Sequence, residues 1–407
     1  MERIAYITVK APFGEQETFI ITEMLALRDR GVDLLIVPRD SDGELFHEEA
    51  ASLTGYTLNI PWLSTDIVKR LAVFICRNPR SFFRIIEDTV LKAGRLKTAL
   101  KNLVVLPKAI YLSAVLRDAS VSHIHAHWAS TPSTMAYVIS EITGIPWSFT
   151  AHRGDIAEDN ILRRKCAAAS FVRAIDEGGR REISAVVNDP VIEKKILTVH
   201  MGVGVPEVVR RPAAGSLEVF TILCPANFVP KKGHRYLIEC CRLLSARGVG
   251  FRCLIAGDGP LREELQAMVE GLPPGCDVRL LGRLPHERIL GMYEEGAVDA
   301  VVLPSIVTDE GVKEGIPVAL IEAMSYGIPV VSTCTGGIPE LIGDGSGVMV
   351  GEKDVESLAA VIERLARDPD YYSMLSRRGR RKIETDFNIS TTVDRLLDLF
   401  SGRGRST

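Results

Sequence analysis

Long apolar runs are missing from this chain. No stretch of its 407 residues approaches the roughly 20 uninterrupted apolar residues that a bilayer core demands. An excess of one charge is missing too: 49 Lys and Arg against 52 Asp and Glu leave a formal net charge of −3. Without a basic surplus to neutralise phosphates, nucleic acid is not an expected partner. The eight cysteines form no C-x-x-C pair and no metal-ligand spacing, and several lie inside apolar runs such as 251–256. Buried, reduced thiols of a cytoplasmic protein are the expectation. The opening MERIAYITVKAPFG carries Glu2 and Arg3 and too short an apolar run for a secretory signal. A soluble chain is expected.

What is present is a rhythm. The length exceeds that of a single core, so two domains are expected. Short apolar runs alternate with helical patterns: strands at 3–9, 33–37, 121–126, 146–151 and 170–174, with a helix over 18–30 that Gly31 ends. The rhythm breaks at MGVGVPEVVRRPAAG, 201–215, and restarts with strands at 219–224, 252–256, 278–281, 299–303, 329–333 and 347–350. Repeated strand–helix alternation implies parallel sheets covered by helices on both faces. The expected architecture is α/β: two doubly wound, Rossmann-like domains facing across a cleft. Their expected bounds are 1–204, a linker at 205–216, 217–385, and a C-terminal helix in 386–407 returning to the first domain. In such sheets ligands bind beyond the carboxyl ends of the strands.

The segment from Lys69 to Arg117 departs from that rhythm. Eleven basic residues accompany only Glu87 and Asp88, interleaved with Phe74, Phe82, Phe83, Leu91 and Leu103. Two readings stand side by side. One is a pair of surface helices with solvated charges. The other is a basic amphipathic element resting on anionic lipid, where each basic residue contributes about 1 kcal/mol. The second would make the protein peripheral on the inner face of the membrane.

The most informative stretch is 309–350. A strand ends at Ser305, a loop follows, and Pro317 suits the first position of a helix that ends at Gly327. The free N–H groups of its first turn, around Ile316 to Leu320 and including Val318 after Pro317, form an anion site. Glu322 lies five residues past Pro317, about 7–8 Å along the axis. A diphosphate at the helix mouth would therefore put a ribose beside Glu322, and the sugar beyond it near Glu314 and Gly315. Gly336 and Gly337 open a second helix at 338–342, with further amides near the same spot. A lone buried Glu would be read as structural; a Glu, an N-terminal Pro, a second Glu and a Gly-Gly turn in one register point to a site.

EGIPVALIEAMSYGIPVVSTCTGGIPELI, with glutamates separated by seven residues, resembles the signature of retaining glycosyltransferases of family 4, which have the GT-B fold. ETFI at 17–20, HAHWAS at 125–130, SFTAHRGDI at 148–156, PKKG at 230–233, AGDGP at 256–260 and GRLPHERI at 282–289 agree in order. The finer flavour resembles the bacterial exopolysaccharide, colanic-acid branch. The resemblance implies that Glu322 binds the nucleotide ribose, Glu314 the donor sugar and Lys232 the diphosphate. It further implies that His152 lies beside the donor sugar and that the backbone at Gly14 approaches the diphosphate and acceptor. An arginine common in relatives five residues before Lys232 is here Asn227, so Lys231 is a candidate substitute. The implied chemistry is front-face attack with retention, in which the departing phosphate oxygen takes the acceptor proton. The implied donor is a UDP- or GDP-sugar and the acceptor a lipid-linked saccharide. No Asp-x-Asp metal motif of the other large glycosyltransferase fold stands out, and neither metal nor cofactor is expected.

Three rivals remain. His123, His125 and His127 share one strand face, which suits a zinc hydrolase completed by His152, Asp155 or His200. A GT-B nucleotide-sugar epimerase would keep the fold and change the chemistry. A catalytically idle subunit of an assembly complex is supported only by Asn227.

Overall fold

The structure, a computed structural model, describes residues 3–13, 17–41, 43–207 and 219–403. The chain divides into two compact units. Unit 1 runs up to His200 and resumes at Thr392; unit 2 is Met201–Thr391.

Unit 1 holds six strands: β1 (Arg3–Thr8), β2 (Asp33–Pro38), β3 (His123–His127), β4 (Trp147–Ala151), β5 (Phe171–Ala174) and β6 (Ile196–Thr198). They pair in parallel in the order β2-β1-β3-β4-β5-β6. β3, β4 and β5 are buried at every position, as strands covered on both faces must be. The expected strand at 121–126 starts two residues later. Ile196–Thr198 was not anticipated, because three residues after Lys194 and Lys195 carry no periodic signal.

Unit 2 holds β7 (Phe220–Pro225), β8 (Phe251–Ala256), β9 (Asp277–Gly282), β10 (Ala300–Leu303), β11 (Val330–Thr333) and β12 (Val348–Val350). Their order is β12-β11-β10-β7-β8-β9, again all parallel. β10 sits centrally, and its Val301, Val302 and Leu303 have no exposed surface. Truncating Leu303 to Ala would cost about 2–5 kcal/mol through lost contacts and the cavity left behind.

Each order fixes where a ligand can enter. In unit 2 the chain winds outward from β7 through β8 to β9, then returns and winds the other way from β10. The switch point therefore lies between β7 and β10, and the loops leaving those two strands diverge to form a crevice. In unit 1 the corresponding point lies between β1 and β3. Residues 208–216 of the expected linker lie outside the described residues.

The basic segment forms helices at Thr65–Arg77, Pro79–Ile86 and Leu96–Asp118, with a π-helical turn at Glu87–Leu91. Leu96–Asp118 is the one helix among the described residues long and apolar enough to cross a membrane. Its C-terminal half is core, with Val105, Leu106, Ala109, Ile110, Leu112 and Leu116 buried. Lys108 does not belong to a basic face: it is buried and donates to the carbonyls of Pro38, Arg39 and Ile60 at 3.1, 2.7 and 2.7 Å.

Candidate functional site

The loops leaving β7 and β10 carry most of the expected site. After β7, Pro230–Lys232 makes a short 3-10 turn that ends at Gly233. Gly233 has φ 67°, and a Cβ there would lie 1.9 Å from the Pro304 carbonyl oxygen just beyond β10. Only glycine permits that approach. The Ile306 N–H donates to the Lys231 carbonyl at 2.9 Å, which ties the two loops together. As a result the ammonium groups of Lys231 and Lys232 both reach Glu314 Oε1, each at 3.2 Å. Glu314 is buried, and Oε1 has no well-directed hydrogen bond. Two cations thus converge on one carboxylate oxygen, an ion-pair arrangement with a surplus positive charge. Asn227 is exposed, and Lys231 supplies the second cation beside Lys232.

The Gly-Gly turn closes on the same segment. Gly336 has φ 58°, and a Cβ on it would lie 2.0 Å from the Glu314 carbonyl oxygen. The turn opens the helix Ile338–Ile342, as expected. The buried hydroxyls of Ser305 and Thr335, which sequence reading passed over, have no hydrogen-bond partner among the described residues. Isolated Ser and Thr carry no periodic or spacing signal, so nothing in the sequence marked them.

The helix expected from Pro317 spans Val318–Ser325, and Gly327 follows it with φ 60°. One detail is corrected: Pro317 is the N-cap, with ψ 117°, rather than the first helical residue. Its carbonyl accepts from Leu320 and Ile321 at 3.0 and 3.4 Å. The N–H groups of Val318 and Ala319 therefore remain as first-turn donors, alongside the Gly315–Ile316 backbone. Glu322 follows Val318 by about 6 Å of helix rise. Its Oε1 lies 2.8 Å from His286 Nε2, a partner not anticipated although GRLPHERI was noted. His286 is the first residue of the helix His286–Glu294, reached only after β9. Buried Tyr293 lies close by; burial, and then the Glu322 carboxylate, pushes its hydroxyl well up.

In unit 1 the three strand histidines meet side chains of β4 and of the residue that follows it. His123 Nε2 and His125 Nδ1 meet Ser148 Oγ at 2.7 and 2.8 Å, and His125 Nε2 meets Thr150 Oγ1 at 2.9 Å. His127 Nε2 lies 2.9 Å from His152 Nε2. Four of the ring nitrogens are thus engaged, His127 Nδ1 makes no hydrogen bond among the described residues, and no cluster of three ligating side chains occurs among them. Burial, then like charge from Arg173, depresses His125 and brings His152 down to about 3. In His127 burial comes first and His152 second.

Beneath these rings lies a buried ion pair. Arg173 Nη1 reaches Glu23 Oε2 at 2.5 Å, while its Nε and Nη2 donate to the carbonyls of Val199 and His200, both at 2.8 Å. Glu23 also accepts from Tyr6 Oη and lies 3.8 Å from His127 Nδ1. Neither member of the pair was singled out from sequence, because 150 residues separate them. His152 caps the helix Arg153–Glu158, and its N–H donates to Asp155 Oδ1 at 2.7 Å. Gly14 lies outside the described residues.

Known proteins resemble the chain in sequence and in fold. Residues 210–382 match the model of the glycosyl transferases group 1 family. The chain is 29% identical over 405 residues to a putative colanic acid biosynthesis glycosyltransferase, WcaL, of Salmonella typhimurium, covering 95% of this chain and 96% of that one. It is 28% identical over 412 residues to the amylovoran biosynthesis glycosyltransferase AmsK of Erwinia amylovora, with the same shares covered. Among solved structures, Anabaena Alr3699/HepE in complex with UDP-glucose superposes with a TM-score of 0.70 at 15% identity, covering 99% and 100% of the two chains. A glycosyltransferase from Rickettsia africae gives 0.69 at 15%, with both chains fully covered. At such identities the likeness speaks for the fold. With two six-stranded parallel sheets, the chain is a glycosyltransferase of the GT-B fold whose residues 210–382 are similar to the glycosyl transferases group 1 family.

Proposed function

We propose that this enzyme moves a sugar, with retention of configuration, from a UDP- or GDP-sugar to a hydroxyl of a lipid-linked saccharide during exopolysaccharide assembly. The observation that carries the donor reading is the convergence of Lys231 and Lys232 on Glu314 beside the Val318–Ser325 helix. A diphosphate placed there meets two ammonium groups and the Val318 and Ala319 amides, the surroundings that stabilise an anion. The ribose hydroxyls then donate to Glu322, whose carboxylate His286 already orients. Glu314 accepts from hydroxyls of the transferring sugar. As the bond to the sugar lengthens, negative charge grows on the departing phosphate, and fixed cations reward that transition state over the ground state. That oxygen is itself the base for the acceptor hydroxyl, so the chain need supply no carboxylate nucleophile and no metal. His152 completes the sugar environment in this reading.

The product class is supported by the relatives named for colanic acid and amylovoran biosynthesis, and the donor class by the neighbour in complex with UDP-glucose. Membrane contact is the third element of the proposal. Of the exposed large apolar side chains, nine fall between Leu63 and Val104, with Phe83, Leu91 and Leu96 more than two-thirds exposed. Leu96, Leu100, Leu103 and Val104 form one stripe of the Leu96–Asp118 helix. Lys69, Arg70, Arg77, Arg80, Arg95 and Lys97 enter no ion pair among the described residues, whereas Arg84 and Lys101 pair with Glu141 and Glu158. Exposed aliphatics among unpaired cations suit an anionic lipid surface.

Thermal unfolding in the presence of UDP, GDP, ADP and their sugars tests the central reading. Stabilisation by one nucleotide family is expected; no stabilisation by any of them would sink it.

A further inference from the structure

Unit 1 has a switch point of its own, between β1 and β3, and a cavity of about 860 Å³ opens there. Loops leaving four strands line it. Lys10 and Glu17 follow β1, Glu44 and Phe46 follow β2, Trp128 follows β3, and Glu158 lies in the helical segment after β4. Every one of these residues belongs to unit 1.

Trp128 is the unusual member. Its φ is 97°, a conformation that bulky residues with a Cβ almost never adopt, and holding it costs about 1–3 kcal/mol. Surrounding contacts keep it there. Glu17, itself buried, accepts from the indole Nε1–H at 2.6 Å through one oxygen. Through the other it accepts from the Lys10 and Ala11 N–H groups at 2.7 and 2.6 Å. The indole packs against the His152 ring, with centroids 4.3 Å apart and 31° between planes, while its one N–H is already donated to Glu17. What the clamp leaves to the cavity is an aromatic surface, not a hydrogen-bond donor.

The chemistry of the walls narrows the occupant. An indole face is electron-rich and attracts the C–H face of a pyranose ring. Phe46 adds a second aromatic surface. Glu17 and Glu44 stand against the cation Lys10, while Glu158 is paired with Lys101 and burial pushes Asp155 up to about 7, so the lining keeps a small net negative charge. That charge disfavours uronic acids and phosphorylated sugars, while Glu44 is placed to accept from hydroxyls.

We propose that Trp128, strained and clamped by Glu17, is the floor of a saccharide subsite in unit 1 that receives a neutral pyranose of the acceptor. This rests on the glycosyltransferase reading above, and it deepens that reading by naming the acceptor's chemistry and the residue that selects it.

Saturation-transfer NMR on the full chain tests it, with lactose and maltose as neutral probes and a glucuronic-acid-terminated disaccharide as the anionic one. The wild type is expected to saturate C–H protons on one pyranose face of a neutral probe, and the uronic acid at least fivefold less. Trp128→Leu is expected to lose that signal and Trp62→Phe to keep it. Trp128→Phe, which retains an aromatic face but not the bond to Glu17, is expected to fall between them. Circular dichroism and nucleotide-dependent stabilisation show whether each variant is folded. Absence of saturation in the wild type, equal saturation in folded Trp128→Leu, or a preference for the uronic acid would overturn the proposal. Loss of nucleotide stabilisation in the wild type would instead strike the donor reading, so the two failures are separable.

Discussion

The Nε2 atoms of His127 and His152 lie 2.9 Å apart, so a single proton must serve both rings. Both rings are depressed by burial, and each would repel the other if charged. The pair is therefore neutral at neutral pH, with one nitrogen donating and the other accepting. His127 Nδ1 faces the Glu23 carboxylate at 3.8 Å, which favours a hydrogen there. His127 Nε2 is then the acceptor and His152 the donor.

That neutrality has a pH signature. His152 titrates near 3 in the folded chain against 6.5 in the open one. Between these values the unfolded state binds a proton that the folded state does not, so stability falls as pH drops below about 6.5. His152→Gln removes this contribution. Its stability relative to wild type is expected to improve with acidification, by no more than about 1.4 kcal/mol per pH unit. Urea titrations at pH 7, 5.5 and 4.5 measure it, and a pH-independent difference would contradict a neutral buried ring.

Glu322→Ala is expected to weaken binding of the preferred nucleoside diphosphate about ten- to a hundredfold, as loss of hydrogen bonds to a charged acceptor implies. His286→Ala should show a smaller loss of the same kind, because it frees a carboxylate that remains present. Isothermal titration with UDP and GDP reads both. A His286→Ala effect larger than that of Glu322→Ala would mean that the imidazole, not the carboxylate, meets the ligand.

Lys232→Ala is expected to lower kcat about 10²–10³-fold, the loss seen when one preorganised donor is withdrawn from a developing oxyanion. Nucleotide affinity should fall far less. Since Lys231 reaches the same Glu314 oxygen, the two lysines should couple: the double variant's loss should differ from the sum of the singles. Turnover should also persist in EDTA. Abolition by EDTA with recovery on adding Mg²⁺ would show that a metal shares the leaving-group charge.

For the membrane face, vesicles containing anionic phosphatidylglycerol should sediment the protein and neutral phosphatidylcholine should not, with binding weakened at high salt. Leu96→Glu with Leu100→Glu should abolish it with little effect on stability, since both side chains are more than half exposed. Sedimentation indifferent to lipid charge and salt would remove the proposal.

Much of this was legible because it is local. Strand positions followed from apolar runs of the right length, Gly327 betrayed itself by ending a helix in left-handed backbone, and Gly336 with Gly337 by opening the next one. Pro317 was misplaced by one position, since proline suits both a first helical residue and the extended residue before it. What stayed hidden depends on distance in sequence. His286 meets Glu322 across 36 residues, and Arg173 meets Glu23 across 150. An arginine inside a strand or a histidine opening a helix looks the same in sequence whether solvent or a buried carboxylate receives it. The HxHxH run shows the converse: a suggestive spacing whose partners, Ser148 and Thr150, sit on the neighbouring strand and satisfy it without metal.

Phe400, on the helix Ile389–Phe400, packs its ring 5.1 Å from His123, 5.3 Å from His125 and 5.8 Å from Phe171, while Leu396 and Leu399 are buried with it. Unit 1 is thus completed by residues that the ribosome makes after all of unit 2. During synthesis the second-encoded sheet can close first, while the histidine strand of the first-encoded one waits with an open apolar flank. A stalled chain lacking Phe400 would carry a finished unit 2 and an unfinished unit 1, and it is that flank which a chaperone or protease would meet.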